Sequence, residues 1–186
     1  MTDKFQNKYR IPTTRLQNWD YGSDASSFVP IFTAYRGCHF GNIVNGEMVL
    51  SELGKTLDEE GLKTIALRRD MNLQMDVYVV MPNHFHAIVS IGLNRSNMSA
   101  VEGVDCGAVE GVVIYKNKFG PQSKNLASII RGFKSAVTSF ARINHIGFGW
   151  QPRFYEHIIR TSDSYQRISQ YIANNPANWQ DDQFFI

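Results

Sequence analysis

Apolar and polar positions along the chain alternate between the period of a strand and the period of a helix. Residues 28–35 form an apolar, aromatic-rich run and predict a first strand. Residues 39–44 would continue it after Gly37, and Asn45-Gly46 is a hairpin signal because both positions tolerate positive φ. Leu53, Leu57, Leu62, Ile65 and Ala66 then recur at roughly helical spacing as far as about residue 69, behind Ser51 as N-cap and Glu52 in the first turn, with Gly61 as a weak point. Residues 75–81 and 84–91 are two strand-like runs separated by Pro82-Asn83, the chemistry of a tight turn between antiparallel strands. Asn125 is a plausible cap for a second helix over 126–143, which carries Ile129, Ile130, Phe133, Val137 and Phe140 on one side. Residues 154–159 give a last strand. Ser162 or Asp163 caps a third helix that runs to about residue 174, where Pro176 stops it.

The order is strand, helix, strand, strand, helix, strand, helix. It predicts an α+β fold: an antiparallel sheet with helices on one face in a split βαβ (ferredoxin-like or RRM-like) arrangement, plus a C-terminal helix. Residues 1–27 look like an arm in which aromatic and basic residues interleave (Tyr9, Arg10, Arg15, Trp19, Tyr21), ending in a Gly-Ser-Asp-Ala-Ser-Ser connector. Residues 28–186 then form one domain. Between the second hairpin strand and the second helix, residues 92–125 are rich in Gly, Asn and Ser, and so long a connection is usually a functional loop. The echo of AVEGV at 100–104 and 108–112 is too short for a repeat architecture.

Composition narrows the class. A chain of 186 residues with 43% hydrophobic and 19% charged content is that of a globular domain able to bury its own core. No apolar run is long enough for a transmembrane helix, and the polar N-terminus lacks a secretory signal, so a cytoplasmic protein without membrane contact is expected. Cys38 and Cys106 form neither a disulfide framework nor metal-ligand spacing. The net charge is only +2, but residues 116–160 hold eight basic residues against Glu156 alone. A one-sided basic surface suits a polyanion such as nucleic acid, although a solvated face would read the same.

The segment Met81-Pro82-Asn83-His84-Phe85-His86 carries the first chemical signal. Residues two apart in a strand point to one face, so His84 and His86 project together while Phe85 points away. Two imidazoles side by side can hold Mg²⁺, Mn²⁺ or another divalent ion and leave coordination positions open for phosphate oxygens. Two buried, hydrogen-bonded structural histidines would have the same spacing.

The second signal lies on the last helix. Tyr165, Ile168 and Ile172 form its apolar stripe, and Tyr171 lies beside that stripe, where a hydroxyl can reach a cleft edge. Asn175 is four residues further on and on the same side. A phenol can attack phosphorus, and the Asn175 carbonyl oxygen can complete a metal's ligand set. Tyr155 and Tyr165 compete for the nucleophilic role. Helix geometry ranks Tyr171 first without excluding them, and packing alone would also explain a tyrosine there.

Taken together, MPNHFHAIV (81–89), PQSKNLASIIRGFKSAV (121–137), FYEHIIR (154–160) and YIANNPANW (171–179) resemble the single-tyrosine HUH transposases, and within them the REP-associated branch. The resemblance covers about residues 28–179. It implies that a divalent metal, Mg²⁺ or Mn²⁺, is held by His84 and His86 with Asn175 as a third ligand, where other branches place Gln. It further implies that Tyr171 attacks a phosphodiester of single-stranded DNA next to a hairpin, leaving a 5′-phosphotyrosine link and a free 3′-hydroxyl that allow rejoining without ATP. Members act as dimers, or as monomers in the REP-associated branch, so a homodimer is among the expected states. Arg10 and Arg15 in the arm, with Lys124, Arg131, Lys134 and Arg142 on and before the basic helix, are the candidate phosphate contacts. Arm aromatics such as Trp19 or Tyr21 are candidate stacking platforms for unpaired bases.

Two other readings fit parts of the pattern. One is a domesticated hairpin-binding protein that keeps the fold without transposition. The other is a metal-dependent hydrolase built on the His pair, which would need an acidic third ligand that the 81–91 hairpin lacks.

Overall fold

The computed structural model describes residues 15–16, 19–98 and 123–181, and Arg10 with most of the 92–125 connection lies outside them. Six strands and four helices follow in the order β1 (Ala25–Phe32), β2 (Gly41–Val44), β3 (Glu47–Leu50), α1 (Glu52–Leu67), β4 (Leu73–Met81), β5 (His84–Ile91), α2 (Arg95–Met98), α3 (Leu126–Ile143), β6 (His157–Ile159) and α4 (Ser162–Asn174). The main sheet has the order β4-β5-β1-β6, with every neighbouring pair antiparallel. This is the split βαβ topology: β1 and β4 flank β5, which returns between them.

Local chemistry sets the element ends. Ser51 caps α1 by accepting from the Gly54 amide at 3.1 Å. Asn125 caps α3 in a reciprocal capping box with Ser128. The cap of α4 is Thr161, one residue before the expected Ser162 or Asp163, and its hydroxyl accepts from the Ser164 amide at 3.2 Å. The first strand spans Ala25–Phe32 rather than 28–35. It stops because the Thr33 amide is turned to Asn83 O at 3.0 Å and the chain then enters the left-handed region at Tyr35 and Arg36. Residues 39–44 do not continue that strand. Instead β2 and β3 form a separate two-stranded ribbon about Asn45 (φ 52) and Gly46 (φ 79). The last strand is shorter than expected, His157–Ile159, since it pairs with β1 at three positions only.

Alternation along β5 and β1 gives the sheet two different faces. Phe85, Ala87, Val89 and Ile91, with Val29 and Ile31, enter the main core beneath α1 and α3. Phe85 and Phe133 of α3 meet there with ring centroids 5.3 Å apart, and burial of each such side chain stabilises by about 1.5–3 kcal/mol. The intervening residues His84, His86 and Ile88 face the other way and are also buried. Over them lies α4, of which only Ile172 is fully buried. Tyr165 adds a second tether by donating its hydroxyl to Asp76 Oδ2 at 3.1 Å. Two helices thus cover one face of the sheet, and α4 lies on the histidine face. No described helix is long and apolar enough to cross a membrane.

Candidate functional site

Strand β5 begins at His84, immediately after the Pro82-Asn83 turn, so the histidine pair sits at the strand end where the sheet opens. Both side chains are buried, and their rings lie 4.3 Å apart. Phe28 and Phe32 of β1 stand beside them because Phe32 is the register partner of His84. Phe32 lies 5.5 Å from His84, and Phe28 lies 5.3 Å from His86 edge-on. Trp179, just past α4, closes the far side at 5.9 Å from His84. Burial, and secondarily the neighbouring His84, hold His86 well below the usual imidazole range, so it is neutral at physiological pH.

The hydrogen bonds around His84 define its chemistry. Its Nδ1 lies 2.8 Å from Asn83 Oδ1. An amide oxygen only accepts, so Nδ1 is the donor in this contact. Its Nε2 lies 3.3 Å from Asn175 Oδ1. A carbonyl oxygen on the far ring nitrogen is the usual support of a metal-ligating histidine. The donor set of two neutral imidazoles and an amide oxygen therefore fits a divalent ion. Among the described residues no group of three or more His, Cys, Asp or Glu side chains is placed to hold a metal ion.

Helix α4 brings Tyr171 to the same place. Its ring lies 5.5 Å from His86 and 6.2 Å from Phe28, and the residue remains 40% exposed, enough to meet a substrate. The other two tyrosines are placed differently. Tyr165 is engaged with Asp76, and Tyr155 is exposed in the segment before β6. His84, His86, Tyr171 and Asn175 are thus brought together from positions 84 to 175 of the chain.

The basic candidates divide. Arg15, Arg131, Lys134 and Arg142, joined by Arg153, line one groove of about 580 Å³ on the outer side of α3. The Arg15 guanidinium also lies over the Tyr21 and Phe154 rings at 5.3 and 5.2 Å. Lys134 donates to Gln151 O at 3.0 Å and Arg153 O at 2.6 Å, and burial lowers its pKa to about 8. Lys124 stands apart, paired with Asp70 at 3.3 Å. The groove is across the sheet from the histidines, and a second groove of about 730 Å³, which shares Arg15, runs along the β6 edge to Thr161 and Ser164 at the start of α4.

Sequence reasoning passed over Asn83 and Trp179. Asn83 reads as turn chemistry, and the one available signal was a short amide adjacent to a candidate ligand. Trp179 reads as part of a motif without a role, since nothing in its spacing announces that the chain folds back over β5.

No established family model matches the chain. An uncharacterized protein of Haemophilus influenzae is 34% identical over 175 residues, spanning 92% of this chain and 91% of that protein. The REP-associated tyrosine transposase of Escherichia coli is 28% identical over 113 residues, which is 61% of this chain and 50% of that protein. The match therefore spans half the length of the Escherichia coli relative. In fold, the chain resembles the solved structure of a REP-associated tyrosine transposase bound to a REP hairpin, with a TM-score of 0.56 over 91% of this chain and 74% of that one, at 19% identity. The chain therefore belongs to one family with the Haemophilus influenzae protein, and it shares the fold of the REP-associated tyrosine transposase structure.

Proposed function

We propose that this protein cuts and rejoins single-stranded DNA beside hairpins, with Tyr171 as nucleophile and a divalent ion, Mg²⁺ or Mn²⁺, on His84, His86 and Asn175. The observation that carries the reading is the meeting of Tyr171 with His86 at 5.5 Å while Asn175, one helical turn on, meets His84 at 3.3 Å. A bound divalent ion would supply charge stabilisation at the scissile phosphate, with open positions for its oxygens.

The residues of the chain account for the rest. Tyr171 Oη attacks phosphorus and loses its proton, the phosphorus–O3′ bond breaks, and the departing 3′-oxygen takes up a proton as a free hydroxyl. The new 5′-phosphotyrosine ester keeps the energy of the broken bond, so attack by another 3′-hydroxyl rejoins strands and frees Tyr171. Phe28, Phe32 and Trp179 wall the histidines and fix the tyrosine's approach, which supplies in-line positioning. Tyr171 faces the histidines of its own chain, which favours chemistry within one protomer. The arginine-lined groove on α3 suits the hairpin stem, and the β6-edge groove suits the strand leading from it toward α4.

The test is a denaturing gel of protein incubated with hairpin oligonucleotides from the DNA flanking its own gene, with Mg²⁺ or Mn²⁺. A covalent adduct is expected that EDTA and Tyr171→Phe both abolish, while Tyr171→Phe keeps hairpin binding. Tight binding with no adduct would instead mark a hairpin-binding protein without strand chemistry.

A further inference from the structure

We propose that Tyr35 is a base-stacking platform at the mouth of the histidine site, taking one unpaired nucleobase of the bound strand on its ring. The inference rests on the single-strand reading above and adds a positioning residue to it. Tyr35 is 101% exposed, against 58% for Tyr155 and 40% for Tyr171, so neither face of its ring is covered. Exposure alone would mean little, but the backbone beneath it is unusual. Tyr35 and Arg36 both lie in the left-handed region, with φ of 55° and 56°. Side chains other than Gly and Asn adopt it at a cost, and this turn places two such residues in succession.

The turn is also held from several sides. Ala34 N donates to Gly149 O at 2.7 Å, Gly37 N donates to Ala34 O at 3.2 Å, and the Thr33 hydroxyl donates to Gly37 O at 2.9 Å. A strained conformation persists only where its surroundings over-determine it, and such positions cluster at ligand clamps. The location completes the case. Phe32 pairs with His84, and the Thr33 amide donates to the carbonyl of Asn83, the residue whose side chain holds His84. Tyr35 follows two residues later, so its Cα lies within about 7 Å of that anchor. An open aromatic ring carried on that fixed backbone matches a nucleobase. Every base has a π-face, so such a platform positions the strand without reading its sequence.

The experiment uses the full chain without metal, so that no cutting occurs, and a hairpin oligonucleotide carrying 2-aminopurine at successive unpaired positions. One position is expected to be quenched by the wild type and by Tyr35→Phe, and to stay bright with Tyr35→Ala. Affinity should fall about 5- to 100-fold for Tyr35→Ala and stay near wild type for Tyr35→Phe, the range expected for stacking of one base. Because the ring touches no core, loss of fold does not confound the variant. Equal quenching and affinity for wild type and Tyr35→Ala would overturn the proposal. Tyr35-dependent quenching in a protein that forms no adduct with metal would support the platform while rejecting the strand-cleavage reading. Adduct formation with no effect of Tyr35→Ala on quenching or affinity would reject the platform alone.

Discussion

His84 Nε2 and Asn175 Oδ1 lie 3.3 Å apart and join residues 91 positions distant in the chain. The contact exists because α4 ends one residue before Asn175, at a point where Ile172 has already been driven into the histidine face of the sheet. The helix thus delivers a tyrosine and an amide to one place, one helical turn apart.

The first prediction concerns the group that orients this pair. Asn83→Ala removes the acceptor from His84 Nδ1 and frees the ring to change tautomer or rotate. Mn²⁺ affinity, measured by titration calorimetry, should fall about 10- to 100-fold, as is typical for loss of an outer-shell partner. Circular dichroism should confirm an intact fold. Unchanged affinity would mean that Asn83 serves the turn and not the histidine.

A second prediction concerns Lys134. In the folded protein it titrates at about 8 instead of the ordinary 10.5, because burial disfavours its charge. Below both values folded and unfolded chains alike are protonated, and the burial penalty is fully present. Between about pH 8 and 10.5 only the unfolded chain holds the proton, so this residue makes stability rise with pH across that window. Lys134→Met should destabilise by about 1 kcal/mol at pH 7.5, since the carbonyls of Gln151 and Arg153 lose a donor. That gap should widen at pH 9.5, where the wild type has shed its penalty. Urea unfolding of both proteins at the two pH values checks this, and an equal gap at both would show that the ammonium is not desolvated.

How much of this was legible beforehand follows from the range of the interactions. The histidine pair could be read because strand alternation is local: His84 and His86 share a face whatever the sheet pairs with. Tyr171 and Asn175 could be ranked because helical spacing is local too. That the two pairs meet came from the family resemblance, since no periodicity encodes a contact between residues 84 and 175. The left-handed turn at Tyr35 was hidden for a different reason. It replaces the end of an apolar run that reads as uninterrupted strand, and tertiary hydrogen bonds to Asn83 and Gly149 decide it. The run over 39–44 likewise reads as a continuation of β1, and only the Asn45-Gly46 hairpin signal points to the separate ribbon of β2 and β3. The basic helix was recognised as basic, but which charges share a groove and which, like Lys124, are spent on a carboxylate depends on neighbours distant in sequence.

The last prediction concerns how α4 is held. Apart from Ile172 the helix buries no side chain completely, so its register on the sheet rests heavily on the hydrogen bond from Tyr165 to Asp76. Asp76 is itself steadied from the sheet side, where Ser90 Oγ donates to it at 3.4 Å and meets Ser26 Oγ at 2.7 Å. It also lies at the irregularity of β4, where the register with β5 shifts between Met75 and Tyr78. Tyr165→Phe keeps the ring and its packing and removes only the hydroxyl. Because the bond is exposed, global stability should change by less than about 1 kcal/mol. The helix should nonetheless loosen, and amide exchange in α4 should speed up by more than in α3, whose apolar stripe is sealed under the sheet. If Tyr171 is the nucleophile, the rate of adduct formation at saturating DNA should drop about tenfold with DNA affinity unchanged, since small misplacements of a reacting group are costly. Asp76→Asn should give the same pattern in weaker form. A variant whose α4 exchange accelerates while adduct formation keeps its full rate would show that Ile172 and Asn175 alone set the position of Tyr171.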